Sequence, residues 1–250
     1  MIGGDFDGKS VLVTGASRGI GLGIARGFAA AGARLHILAE HDTVMAVATD
    51  LGAVGHVADI TDARALDRVF AGLDRLDVLI NNAGLERITP LEDRSAQAET
   101  TFGRIMEINV VGTYLVTRAA VPRMPAGGAI INTASVWSRG SEACFAAYVA
   151  SKHATIGLTK TWAKELGPKG IRVNAVCPGW VRTDASMLSL KRMSERSGTP
   201  EPALLEEIVG AQILPGLMAP DDIAGAYLFL ASGAAANITG QSLGIDRGEF

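Results

Sequence analysis

Short apolar runs alternate with longer stretches of helical spacing along almost the whole chain, and that alternation limits the possible folds more than any other feature. The runs are Val11–Thr14, Arg34–Leu38, Val54–Ala58, Val78–Asn81, Ala129–Asn132, Arg172–Val176 and Gln241–Ile245. Most are rich in Val and Ile and nearly continuous in apolar character, as strands covered on both faces should be. Between them, "GIARGFAAAGA", "DARALDRVFAGL", a long pattern over Ala96–Pro122, another over Ala146–Leu166, and "DDIAGAYLFLAS" carry helical spacing. Strand–helix alternation implies right-handed crossovers, and so an α/β chain wound to both sides of a parallel sheet. Only Asp184–Leu217 breaks the rhythm. It reads as one or two short helices laid over something, an insertion of the kind that forms lids.

Bulk properties narrow the function classes. A chain of 250 residues suits one domain, and 48% hydrophobic content supplies a sizeable core. A net charge of −3 without a Lys/Arg run argues against a nucleic-acid partner. Cys144 and Cys177 make neither a disulfide framework nor a zinc site, and the histidines at 36, 41, 56 and 153 are too scattered for a metal centre. The opening "MIGGDFDGKS" lacks the pattern of a signal peptide. No uncharged apolar run approaches the ~20 residues of a membrane span. A cytoplasmic protein is expected.

"VLVTGASRGIG" follows the first apolar run and opens a helical stretch. A helix N-terminus offers unpaired N–H groups and partial positive charge, both suited to a pyrophosphate. Glycines at 15, 19 and 21 let the backbone approach phosphates without a Cβ between them. The spacing G-x-x-x-G-x-G is looser than the usual dinucleotide fingerprint, so position between strand and helix carries most of the weight.

A second constellation lies far along the chain. Tyr148 and Lys152 stand four apart, on one face of a helix. A lysine cation beside a phenol favours the phenolate and tunes it for acid/base work. Ser135 lies thirteen residues upstream of Tyr148 at the end of a strand. "LDVLINNAG" ends another strand with Asn81, Asn82 and Gly84, and Asn109 interrupts an apolar helical pattern. A buried mid-helix asparagine calls for a partner, often a water or a bent backbone.

Taken together, TGASRGIG (14–21), NNAG (81–84), Asn109, Ser135, Tyr148-x-x-x-Lys152 and PGWVRT (178–183) resemble the short-chain dehydrogenase/reductase family. The motifs agree in order and spacing over nearly the whole chain. The resemblance implies a Rossmann-type, seven-stranded, doubly wound sheet in a single domain, with a substrate cap at about 184–217. It implies hydride transfer between a nicotinamide cofactor and an alcohol or ketone. Tyr148 would exchange the proton, Ser135 would hold the reacting oxygen, and Lys152 would lower the tyrosine pKa and hold the nicotinamide ribose. Asn109 would anchor a water linking Lys152 to solvent. Around the cofactor it would place Gly15, Ser17, Arg18, Gly19, Ile20 and Gly21 of the turn, Asp59 and Ile60 at the adenine, and Asn82, Ala83 and Gly84 on the adenosine side. Thr133 would lie nearby, Thr183 would fix the carboxamide, and Pro178, Gly179 and Val181 would flank it. One departure is "IDRGEF", where the family shows Asp-Gly-Gly.

Discrimination between NAD and NADP falls at the end of the second strand, where an acidic residue binds the ribose hydroxyl and repels a phosphate. Here Ala39 takes the usual acidic position and Glu40 follows it, which favours NAD. Arg18 in the glycine turn favours NADP, the alternative. For the substrate, Trp137, Phe145 and Trp180 are candidates for an apolar wall, and Ser141 and Glu142 for polar contacts. "KRMSERSG" in the cap reads as a solvated helix face. The leading reading is an NAD-dependent dehydrogenase of a small polyol, sugar derivative or hydroxy acid. The second is an NADPH-dependent ketoreductase of the 3-oxoacyl thioester type, and the third is a nucleotide-binding module without turnover. The resemblance also implies a homotetramer or homodimer packed through the Ala96–Pro122 and Ala146 helices.

Overall fold

The computed structural model describes residues 6–249. Residues 1–5, part of the N-terminal stretch read for a targeting signal, and Phe250 lie outside them. Seven strands, β1 (Ser10–Thr14), β2 (Arg34–Ala39), β3 (Val54–Val57), β4 (Val78–Asn81), β5 (Ala129–Thr133), β6 (Arg172–Pro178) and β7 (Ser242–Ile245), form one sheet in the order β3-β2-β1-β4-β5-β6-β7. Every neighbouring pair is parallel. The chain runs outward from β1 to β3, then returns to place β4 on the other side of β1. That reversal opens a crevice beyond the carboxyl ends of β1 and β4, where ligands of such sheets bind.

Alternation along the strands sends side chains into two cores. Val11, Val13, Ile37, Ile80 and Ile131 point to one face, where α1 (Gly19–Ala30), α2 (Thr43–Leu51) and α9 (Ala224–Ala231) pack. Leu12, Leu38, Leu79, Ile130 and Val173 point to the other, against α3 (Ala63–Ala71), α5 (Thr113–Ala120) and α6 (Ala146–Leu166). Sequence spacing missed α2. Its nine residues include four that are β-branched, and Asp42 before it makes no capping bond. By contrast α3 is capped by Asp62, whose carboxylate accepts from the backbone N–H groups of Arg64 and Ala65, worth about 1 kcal/mol.

The long pattern over Ala96–Pro122 is not one regular helix. It divides into α4 (Ala96–Met106), a π-helical turn over Glu107–Gly112, and α5. Such insertions gather at functional sites, and this one contains Asn109. The irregular region after β6 forms two helices, α7 (Asp184–Ser197) and α8 (Glu201–Gly210).

A polar chain crosses the second core. Asn81 Nδ2 donates to Thr117 Oγ1 and to Asn132 Oδ1, both at 2.9 Å, and Asn132 Nδ2 donates to Thr159 Oγ1 at 2.9 Å. All four residues are buried, and the bonds offset most of the cost of burying them.

Candidate active site

The glycine turn is shaped by close approach. Gly15 has φ +67°, and a Cβ there would lie 2.7 Å from the Ala83 Cα. A Cβ on Gly21 would lie 2.2 Å from the Gly15 carbonyl oxygen. Neither position admits a side chain. Across the crevice, the Asn82 side chain donates to the carbonyls of Thr14 (3.1 Å) and Gly15 (3.3 Å). The Asn82 amide therefore holds the loop rather than presenting itself to a ligand. Arg18 stands at the N-cap of α1 and makes no capping bond, so no side chain blocks the first N–H groups of the helix.

Beyond this turn lies a cleft of about 320 Å³. Gly15, Ser17, Arg18, Gly19, Ile20 and Gly21 line one end. Ala39, Glu40, Asp59 and Ile60 line the outer edge, and Asn82, Ala83 and Gly84 line the β4 side. Thr133, Tyr148, Lys152 and Thr183 close the inner end. Its donor-rich turn and a Cβ-free approach fit a dinucleotide. The Asp59 carboxylate is engaged by the Thr61 N–H and hydroxyl at 2.8 Å and by Arg104 at 2.7 Å, which together hold its pKa below the usual range against the opposing effect of burial.

A second cavity, of about 90 Å³, opens at the inner end. Ser135, Tyr148, Trp137 and Trp180 line it, with Ser186 of α7. Pro178, Gly179 and Val181, expected to flank the cofactor, line this cavity rather than the cleft, whereas Thr183 borders both. Trp137 lies edge-on to Tyr148 (centroids 5.9 Å) and to Trp180 (6.4 Å), and Phe145 supports it from behind at 4.9 Å, fully buried. Glu142 does not line either space; its carboxylate accepts from the backbone N–H of Ala143. The loop after Ser135 turns it away before α6 begins. On α7, Lys191 lies 3.9 Å from Glu195 and Arg196 pairs with Glu92, as a solvated face would.

The first turns of α6 bring Tyr148 and Lys152 together. Lys152 Nζ donates to the Thr133 carbonyl at 2.7 Å and lies 5.4 Å from the centre of the Tyr148 ring. Burial pushes the Lys152 ammonium down to about 8, although Glu86 opposes the shift. The phenol of Tyr148 moves opposite to the sequence expectation. Burial first, then the Glu86 carboxylate, raise it far above its ordinary value, and the Ser135 hydrogen bond only partly offsets them. Tyr148 is thus held as a neutral phenol, suited to give a proton to a developing alkoxide, which is a stronger base.

Asn109 does not offer its side chain to a water. Oδ1 accepts from the Leu85 N–H at 2.7 Å, and Nδ2 donates to the Leu85 carbonyl (3.0 Å) and to Ser151 Oγ (2.9 Å). Its amide ties the loop after β4 to α6.

Sequence reasoning missed Glu86. It is half-buried and borders both the cleft and the inner cavity. Burial raises its pKa; the Ser189 hydroxyl of α7, Lys152 and Arg87 pull the other way. The signal was the charged pair in "NNAGLER", directly beyond a strand's carboxyl end.

A family model described as enoyl-(acyl carrier protein) reductase matches residues 15–249. The chain is a short-chain dehydrogenase/reductase. It is 33% identical to D-beta-hydroxybutyrate dehydrogenase of Cupriavidus necator, over 97% of this chain and 98% of the other. It is 37% identical to D-threitol dehydrogenase of Mycolicibacterium smegmatis, over 97% and 93%. Among solved structures, L-sorbose reductase of Gluconobacter frateurii, complexed with NADPH and L-sorbose, superposes with a TM-score of 0.86 at 26% identity, covering 99% of this chain and 98% of that one. As a short-chain dehydrogenase/reductase, the protein is an NAD(P)-dependent oxidoreductase that interconverts alcohols and ketones. Among the described residues no helix is long and apolar enough to cross a membrane.

Proposed function

We propose that the chain is an NAD-dependent dehydrogenase of a small polyol, sugar derivative or hydroxy acid. The observation that carries this reading is the convergence of Ser135, Tyr148 and Lys152 where the long cleft meets the small cavity. A nicotinamide cofactor held in the cleft would receive the hydride as NAD+ or supply it as NADH. Gly15, Gly19 and Gly21 would receive its phosphates, Lys152 and Thr183 its nicotinamide end. Tyr148 exchanges the proton with the substrate oxygen, giving it as a phenol when a ketone is reduced and taking it as a phenolate when an alcohol is oxidised, and Ser135 fixes that oxygen. Asn109 keeps the loop carrying Glu86 in place beside them. The aromatic wall of Trp137 and Trp180 excludes water from one side of the reacting carbon.

Preference for NAD rests on Glu40. It borders the cleft beyond β2, and a carboxylate there opposes a 2′-phosphate. Arg18, which lines the same cleft, supports the alternative of an NADPH-dependent ketoreductase, and L-sorbose reductase binds NADPH. Two free thiols, Cys144 and Cys177, suit a reducing cytoplasm. Exposed Phe102, Val111 and Tyr114, on α4, the π turn and α5, support assembly into a homodimer or homotetramer through that face. The test is reduction of NAD and NADP with a panel of secondary alcohols. NAD should lead in kcat/KM, and Glu40→Arg should reverse the order. A wild-type preference for NADP above about tenfold, or ~1.4 kcal/mol, overturns the cofactor assignment.

A further inference from the structure

Glu86 is the one charged residue among those lining the small cavity. It also borders the dinucleotide cleft, so it stands where an alcohol and the nicotinamide would meet. Its backbone is held on both sides. Asn109 grips Leu85 through both amide atoms, and the Thr89 N–H donates to the Cys144 carbonyl at 2.6 Å. Thr89 Oγ1 in turn accepts from the Ala147 N–H at 3.1 Å. These bonds fix the backbone from which the Glu86 side chain extends.

Half-buried, this carboxylate has no ion-pair partner among the described residues. The nearby ammonium of Lys152 is directed at the Thr133 carbonyl. A carboxylate accepts up to about four hydrogen bonds and donates none, and removing it from water is costly unless donors replace the water. Here the nearby hydroxyl of Ser189 favours the charged form. Glu86 lines both the cavity and the cleft, so a ligand rich in hydroxyl groups can supply the donors it lacks. An anionic ligand meets like charge instead, and Lys152 disfavours a second cation.

Resting on the dehydrogenase reading above, we propose that Glu86 selects the substrate: it accepts hydrogen bonds from hydroxyls next to the reacting carbon, so that neutral polyhydroxy compounds are favoured over hydroxy acids.

Three probes of equal chain length separate the possibilities: threitol, β-hydroxybutyrate and secondary butanol. For the wild type with NAD, kcat/KM should be highest for threitol. Glu86→Gln, nearly isosteric, should lower the threitol-to-β-hydroxybutyrate ratio of kcat/KM at least about tenfold, chiefly through the KM for threitol. Glu86→Asp should restore part of that ratio. An equal fall on all three probes means that Glu86 acts only through Tyr148 and Lys152, and overturns the proposal. A wild-type preference for β-hydroxybutyrate overturns it too, while leaving the dehydrogenase reading intact. If none of a wider alcohol panel is oxidised with NAD, the dehydrogenase reading itself falls.

Discussion

Asn109 holds Leu85 by both of its amide atoms, at 2.7 and 3.0 Å, from within a π-helical turn. A regular helix through this region would rotate the residues on either side of the turn differently relative to the core. Asn109→Ala leaves the Leu85 N–H and carbonyl without these partners, at a cost of about 1–3 kcal/mol for each group left unsatisfied. We expect a lower Tm by thermal denaturation. Because the loop also carries Glu86, kcat/KM should fall further than the stability loss alone explains, measured well below the melting range. A variant with lowered Tm and unchanged kinetics would remove the loop from the account of the site.

Tyr148→Phe deletes the proton donor while keeping the ring against Trp137. General acid/base groups contribute about 10²–10⁴ in rate, so kcat should fall by that order. NAD affinity, followed by quenching of tryptophan fluorescence, should stay within a few-fold of wild type. Full activity in the variant would refute the acid/base role.

Lys152 makes stability depend on alkaline pH. Its pKa is near 8 in the folded chain and ordinarily 10.5, so between those values the unfolded state binds more protons. Stability contributed at this position therefore rises as pH increases from about 8 to 10.5, by up to ~3 kcal/mol. Denaturant titrations of cofactor-free protein across that window should show the slope, and Lys152→Met should flatten it.

His36 produces the acid counterpart. Burial first, then His56 at 3.2 Å and Arg34, lower its pKa to about 4. The unfolded chain binds the extra proton between about 4 and 6.5, so stability is lost as pH falls through that range, by about 2–3 kcal/mol. Thermal melts at pH near 6.5 and near 4.5 measure the difference. His36→Val should shrink it, whatever its effect at neutral pH.

Much of this molecule is legible in its residues because its sheet is buried on both faces. Continuous Val and Ile runs can hardly be anything else when helical patterns separate them, and the seven strands end within a residue or two of the runs. The glycine turn is equally readable, since Gly15 and Gly21 occupy points where no Cβ fits. What distant segments decide is harder to read. The direction of the Tyr148 shift follows from how completely the folded cavity excludes water, which no local spacing records. Glu86 became part of the site only when the fold brought the loop after β4 beside Tyr148 and the segment after β6, residues about fifty to a hundred apart in the chain. Asn109 announced an irregularity, but a polar residue in an apolar pattern does not say that the helix will widen by one residue there.

The hydrogen bond from Asn81 to Asn132 also has a consequence for how the two halves of the site are kept in step. β4 ends in the residues that edge the cleft, and β5 ends in Thr133 and Ser135 beside the cavity. Apolar strands tolerate sliding past one another, because one Ile replaces another at small cost. A slip of one residue by either strand would turn its amide toward the opposite core and break the bond between Asn81 and Asn132. The pair works as a notch between neighbouring rulers, and it keeps the ends of β4 and β5 level with one another.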